Sequence, residues 1–268
     1  MRLPDHPGLR SLLGDPSGAV IGLDFDGTLS PIVPDPDAAR IHPEAPEVLA
    51  DLAPLVNAVV IITGRPPATA LALGAAPDGR SLADVPGLVI LGHYGMERWE
   101  NGRITAPPPP PGLDAVRAEL PAITAPYAGV HIEDKGRAVA VHTRRCPDPA
   151  AALAALTEPV TALAARTGLI VEPGRFVLEL RAPGMDKGQA LTAFLAERRA
   201  RSVLFAGDDL GDLAAFRAVA EAGIPGVRVC SGSAEVAKLA AEADIVVDGP
   251  DGVVGLLRAI VAALRPDR

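Results

Sequence analysis

Apolar residues come along this chain in short unbroken runs rather than in alternation. The runs are "AVIGLDFD" (19–26), "AVVIITG" (58–64), "LVILG" (88–92), "SVLFAGDD" (202–209), "GVRVC" (226–230) and "DIVV" (244–247). Between and after them lie stretches with helical spacing of apolar positions: 45–56, 66–74, 188–200, 213–223, 233–243 and a last one near 252–264. A strand buried on both faces reads as a continuous Val/Ile/Leu run. Such runs separated by helices predict an α/β fold, a parallel sheet with helices on both faces.

The middle of the chain follows a different rule. "APPPPPG" (106–112) excludes both helix and central strand and predicts a stiff tether. Beyond it the pattern predicts one helix, two adjacent strands ("VHIEDKG" and "AVAVHTR"), an Ala-rich helix over 149–167, and two more strands ("LIVEP" and "FVLELR"). These strands alternate, so one face is apolar and the other polar. The prediction is a small antiparallel α+β domain over 107–183, inserted into a core made of 1–106 and 184–268.

In open α/β sheets, ligands gather beyond the carboxyl ends of the strands. The polar residues of the parallel part fall there. The first run ends in Asp24 and Asp26, the second in Thr63, Gly64 and Arg65, and a later one in Asp208 and Asp209, with Asp212 close behind. Lys187 opens a helix just before Gly188.

Composition narrows the chemistry. With 268 residues, 49% of them hydrophobic, the chain can bury one large core and a smaller domain. A formal net charge of -8 argues against nucleic acid or an anionic membrane as partner. No apolar stretch is long and uncharged enough to span a bilayer, and the N-terminal residues lack a signal-peptide pattern. Two cysteines, Cys146 and Cys230, make no disulfide framework, so a cytoplasmic location is expected. Of the 25 basic residues only Lys135, Lys187 and Lys238 are lysines. A chain that uses arginine for ordinary surface charge marks its lysines as candidates for sites needing a compact ammonium.

Carboxylates packed as closely as Asp24, Asp26, Asp208, Asp209 and Asp212 repel one another unless a cation sits among them. Oxygen donors without a Cys/His cluster favour Mg²⁺. An aspartate beside such a cation can act as nucleophile toward phosphorus, a second can move the proton, and Thr63 and Lys187 suit phosphate oxygens.

Four motifs in this order, "LDFDGTLSP", "ITGR", "DKG" and "GDD", resemble those of the haloacid-dehalogenase-like phosphohydrolases. Within that superfamily, "ILGHYGMERW", "VHIEDKGRAVAVHTR", "FVLELRAPGMDKGQAL" and "FAGDDLGDLAAF" are similar to the trehalose-6-phosphate phosphatases, over about residues 20 to 250. The resemblance implies a Rossmann-like core and an inserted cap, with Asp24 as nucleophile and Asp26 as general acid and then base. It implies Thr63 and Lys187 as phosphate contacts beside Gly64. It implies Mg²⁺ held by Asp24, the Asp26 carbonyl and Asp208, with Asp209 and Asp212 close to it. Glu133, Lys135, Arg144 and Glu179 would grip the sugar, with Arg65 a further contact from the core. The implied substrate is trehalose 6-phosphate, delivered by a trehalose-6-phosphate synthase. The chain departs from the family pattern in three places: Gly211-Asp212-Leu213 replaces Thr-Asp-Glu, Thr63 replaces serine, and Tyr94-Gly95 replaces His-Gly, with His93 displaced by one.

The rival readings are a phosphatase for another sugar phosphate (sucrose, glucosylglycerol or mannosylglycerate phosphate) and a phospho-accepting signalling domain. The inserted domain and the position of Asp26 argue against the second.

Overall fold

The computed structural model describes residues 3–33, 35–232 and 237–265. The chain forms two compact units: the residues up to Ala106 together with those from Asp186 onward, and Pro107–Met185.

The larger unit carries β1 (Ala19–Leu23), β2 (Ala58–Ile62), β3 (Val89–Gly92), β4 (Glu97–Glu100) and β5 (Arg103–Thr105), with helices α1 (Pro7–Gly14), α2 (Ala45–Leu52) and α3 (Pro67–Leu73). The smaller unit carries α4 (Leu113–Thr124), β6 (His131–Asp134), β7 (Ala138–His142), α5 (Pro149–Arg166), β8 (Ile170–Gly174) and β9 (Val177–Arg181). Back in the larger unit follow α6 (Lys187–Glu197), β10 (Ser202–Gly207), α7 (Leu213–Glu221), β11 (Gly226–Gly232), α8 (Ala237–Glu242), β12 (Ile245–Asp248) and α9 (Gly249–Leu264).

The large sheet runs β12-β11-β10-β1-β2-β3-β4-β5, parallel from β12 to β3 and antiparallel thereafter. Both faces are covered. Ile21 and Leu23 of β1 join a cluster with Leu9 and Leu12 of α1, Leu49 and Leu52 of α2, and Leu257 and Ile260 of α9. On the other face Phe205 of β10 meets Phe216 of α7 edge to face, at 6.4 Å between ring centres. Burial on two sides is why these strands carry no polar alternation. Among the described residues no helix is long and apolar enough to cross a membrane.

Several elements differ from the sequence-based expectation. The helix expected over 45–56 ends at Leu52 and tightens into a 3₁₀ turn at Ala53–Leu55; Pro54 has no N–H to continue it. The charged hairpin β4–β5 and the short helix α1 were not expected. Of the helix expected over 233–243, residues 233–236 lie outside the described residues, and the remainder forms α8.

The smaller unit is a four-stranded antiparallel sheet, β6-β7-β9-β8. Leu113, Val116 and Leu120 of α4 and Leu156, Val160 and Leu163 of α5 cover its apolar face, Val139, Val141, Leu178 and Leu180.

Candidate active site

Asp24 continues β1 by donating its N–H to Ala206 at 2.9 Å, after which the chain turns sharply. Leu29 and Ser30 donate back to the Phe25 carbonyl, both at 2.9 Å, and wholly buried Phe25 and Leu29 anchor the turn in the core. Gly27 has φ +75°, and a Cβ built there would lie 2.0 Å from an Asp208 carboxylate oxygen. Any other residue would push the Asp208 carboxylate away from Asp24. The Ser231 hydroxyl, from β11, donates to the Gly27 carbonyl at 2.6 Å and holds the turn from its other side.

At the end of β10 the chain folds back on Asp212. Its Oδ2 accepts from the N–H groups of Asp208 and Asp209 at 3.0 and 3.2 Å, and its Oδ1 accepts from Lys187 Nζ at 2.8 Å. Asp209 caps the same turn, accepting from Gly211 N–H at 2.8 Å, and is exposed. Leu213, where the family pattern has a glutamate, is buried at the start of α7. Lys187 opens α6, which Asp186 caps by accepting from Gln189 at 2.8 Å. Its ammonium also lies 2.8 Å from Asp24 Oδ1.

Asp24, Asp208 and Asp212 are all buried, with ligand oxygens within 4.8 Å of one another. Burial pushes the Asp24 carboxyl well above the ordinary carboxylate range, against the pull of Lys187. Burial likewise lifts Asp208 to about 8 and raises Asp212. For Lys187 burial works against the charge, yet Asp212 and Asp24 together hold its pKa well above the ordinary lysine value. The ammonium therefore keeps its proton, and one lysine does not offset three buried acids, which ionise together only where a further cation joins it. An all-oxygen donor set of this charge fits a hard divalent ion.

Asp26 faces a different partner. Arg65, beyond the end of β2, meets it with both edges of its guanidinium: Nε to Oδ2 at 2.7 Å and Nη2 to Oδ1 at 2.8 Å. Nη2 also reaches the Pro36 carbonyl at 3.1 Å. Thr63, buried between β2 and this arginine, accepts the Arg65 N–H on Oγ1 at 3.1 Å and keeps its hydroxyl proton available. Expected core residues thus gather in two groups: Asp24, Asp208, Asp212 and Lys187, beyond the ends of β1 and β10 and at the start of α6, and Asp26, Arg65 and Thr63, beyond the ends of β1 and β2.

The polar face of the smaller sheet is ordered in rows. Glu133, Ala140, Glu179 and Glu172 are successive cross-strand partners from β6 to β8. Each glutamate meets a side-chain nitrogen from a neighbouring row: Glu133 with His142 Nε2 at 2.8 Å, Glu179 with Lys135 Nζ at 2.5 Å, and Glu172 with Arg181 Nη2 at 2.6 Å. The rings of His131 and His142 lie with their centres 5.9 Å apart, tilted by 34°. Arg144 lies past the end of β7, half-buried. Glu172 was not anticipated, although the alternation of "LIVEP" puts it on the face of Glu179. Trp99 packs into the core of the larger unit.

A sequence profile described as trehalose-phosphatase matches residues 22–250, and the chain belongs to that family. A probable trehalose-phosphate phosphatase of Sinorhizobium fredii is 35% identical over 82% of this chain and 81% of its own length. The trehalose-6-phosphate phosphatase of Escherichia coli is 31% identical over 83% of this chain and 82% of its own. The fold matches that of the C. albicans trehalose-6-phosphate phosphatase C-terminal domain with a TM-score of 0.78 at 21% identity, over 97% of each chain.

Proposed function

We propose that this chain is a Mg²⁺-dependent phosphatase that hydrolyses trehalose 6-phosphate to trehalose and phosphate. The observation that carries the reading is buried Asp24, its carboxylate 2.8 Å from the Lys187 ammonium and grouped with Asp208 and Asp212, with a second aspartate two residues on.

An Asp24 oxygen attacks phosphorus and the bond to the sugar oxygen breaks, while Asp26 gives that oxygen its proton. Asp26 then takes a proton from water, whose oxygen attacks the same phosphorus and breaks the bond to Asp24, releasing phosphate. Lys187 and the Thr63 hydroxyl hold the phosphoryl oxygens together with the Gly64 N–H. Asp24, Asp208, Asp212, Asp209 and the Asp26 carbonyl would hold Mg²⁺, which when bound supplies charge neutralisation for the transferring group.

Residues 107–183 serve as the inserted cap domain, and 1–106 with 184–268 as the catalytic core. Glu133, Lys135, Arg144 and Glu179 read the sugar hydroxyls, for which paired acids and bases provide both acceptors and donors. The substrate comes from a synthase that joins a sugar phosphate to a second sugar, in the cytoplasm. Phosphate release across a panel of sugar phosphates tests the reading: trehalose 6-phosphate should give the highest kcat/KM, and a higher value for sucrose, glucosylglycerol or mannosylglycerate phosphate would reassign the substrate.

A further inference from the structure

Three consecutive residues after β3 have positive φ: His93 at 47°, Tyr94 at 58° and Gly95 at 102°. Glycine adopts this region freely, but a bulky aromatic residue there is an outlier that persists only where its surroundings enforce it, and such residues cluster at functional sites. Two backbone hydrogen bonds tie this turn to the segment after β2. The Tyr94 N–H donates to the Thr63 carbonyl at 3.0 Å, and the His93 N–H to the Arg65 carbonyl at 3.1 Å. The Thr63 N–H in turn donates to Leu91 at 3.0 Å. The strained turn is therefore bonded on both sides of Gly64. Its side chain completes the clamp: a Cβ built on Gly64 would lie 2.8 Å from the Tyr94 hydroxyl oxygen and 2.9 Å from its Cζ.

We propose that Tyr94 is a positioning residue for the transferred phosphoryl group. Seated on Gly64, its ring fixes the Thr63–Gly64–Arg65 turn so that the Thr63 hydroxyl and the Gly64 N–H meet the phosphate in one geometry. This rests on the phosphatase reading above. A side chain at position 94 is needed because the turn it covers has none of its own at Gly64. The left-handed backbone of His93 and Tyr94 is what delivers the ring to that spot, and a strained backbone there has a structural gain to offset it.

The test uses the whole chain with Mg²⁺ and an aryl phosphate as substrate, with inorganic phosphate as competitive inhibitor. Tyr94→Gly relieves the backbone and removes the ring. It should leave the thermal midpoint equal or higher, yet weaken inhibition by inorganic phosphate about tenfold and lower kcat/KM by a similar factor. Tyr94→Phe, which restores the ring, should recover most of that loss. Gly64→Ala should impair both readouts, and the Tyr94→Gly/Gly64→Ala double variant should lose less than the two single losses combined, because the added methyl no longer meets the ring. Additive losses, unchanged phosphate inhibition in Tyr94→Gly, or a Tyr94→Phe as impaired as Tyr94→Gly would each overturn the role of the ring while leaving the phosphatase reading intact. A wild-type chain that hydrolyses no phosphate ester would overturn both.

Discussion

Both carboxylate oxygens of Asp26 accept from Arg65, Oδ2 from Nε at 2.7 Å and Oδ1 from Nη2 at 2.8 Å. A two-pronged arginine fixes the plane of a carboxylate as well as its position. The residue proposed to move the proton is therefore aimed by the strand that also carries Thr63. Arg65→Ala frees that plane and should lower kcat on trehalose 6-phosphate by about 10- to 100-fold. An aryl phosphate, whose leaving group departs without a proton, should be affected far less. Equal losses on the two substrates would show that Arg65 does not act through Asp26.

Asp24→Asn should abolish turnover of every phosphate ester, aryl phosphates included, because the amide cannot form the acyl phosphate. Burial raises the pKa of the Asp24 carboxyl, so its ionised form is costly inside the protein. The neutral amide removes that cost, and the variant should unfold at the same temperature as wild type or higher. A lower midpoint together with lost activity would point to a damaged fold instead.

Removing the metal should make stability fall as pH rises. Asp208 is lifted from 3.8 to about 8, so between those values the folded chain holds a proton that the unfolded chain has released. Stability declines with pH wherever the folded state binds more protons. In EDTA the thermal midpoint should therefore drop across that window, and saturating Mg²⁺, taking the place of the proton, should flatten the dependence. Identical pH profiles with and without Mg²⁺ would remove these acids as its ligands.

Glu179→Ala deletes the carboxylate that holds Lys135 at 2.5 Å. If the pair reads sugar hydroxyls, the loss of charge-assisted bonds worth about 1.5–3 kcal/mol lowers kcat/KM for trehalose 6-phosphate by about 10- to 100-fold. Aryl phosphate hydrolysis by the same variant should stay close to the wild-type rate. The ratio of the two rates is the measurement, and a parallel fall would assign Glu179 to stability.

The parallel strands were legible because burial on two faces leaves a one-dimensional trace, the unbroken apolar run. β4 and β5 leave no such trace: Glu97, Arg98, Glu100 and Arg103 are charged, and only Trp99 is buried. A signal did exist in Asn101-Gly102, whose φ of 51° and 76° is the backbone of a tight hairpin turn. At the site, the acids at the ends of β1 and β10 could be placed because each closes an apolar run. The grip of Arg65 on Asp26 and the seat of Tyr94 on Gly64 depend on which strands are neighbours and in what register, and spacing along the chain does not carry that. The same holds for the row of Glu133, Glu179 and Glu172, whose alternation was visible but whose alignment across strands was not.

The order of strands in the large sheet has a consequence for biosynthesis. β1 lies between β2 and β10, and β10 is made only after the whole smaller unit. As the chain leaves the ribosome, the smaller unit has every strand partner it needs within Pro107–Met185. The larger sheet must wait with one side of β1 unpaired. Lys187, Asp208 and Asp212, which gather round Asp24, are synthesised in that last stretch. A nascent chain therefore holds the strand that ends in Asp24 open on one side until β10 has been made, and it is in this interval that the edge of β1 is exposed to pairing with another chain.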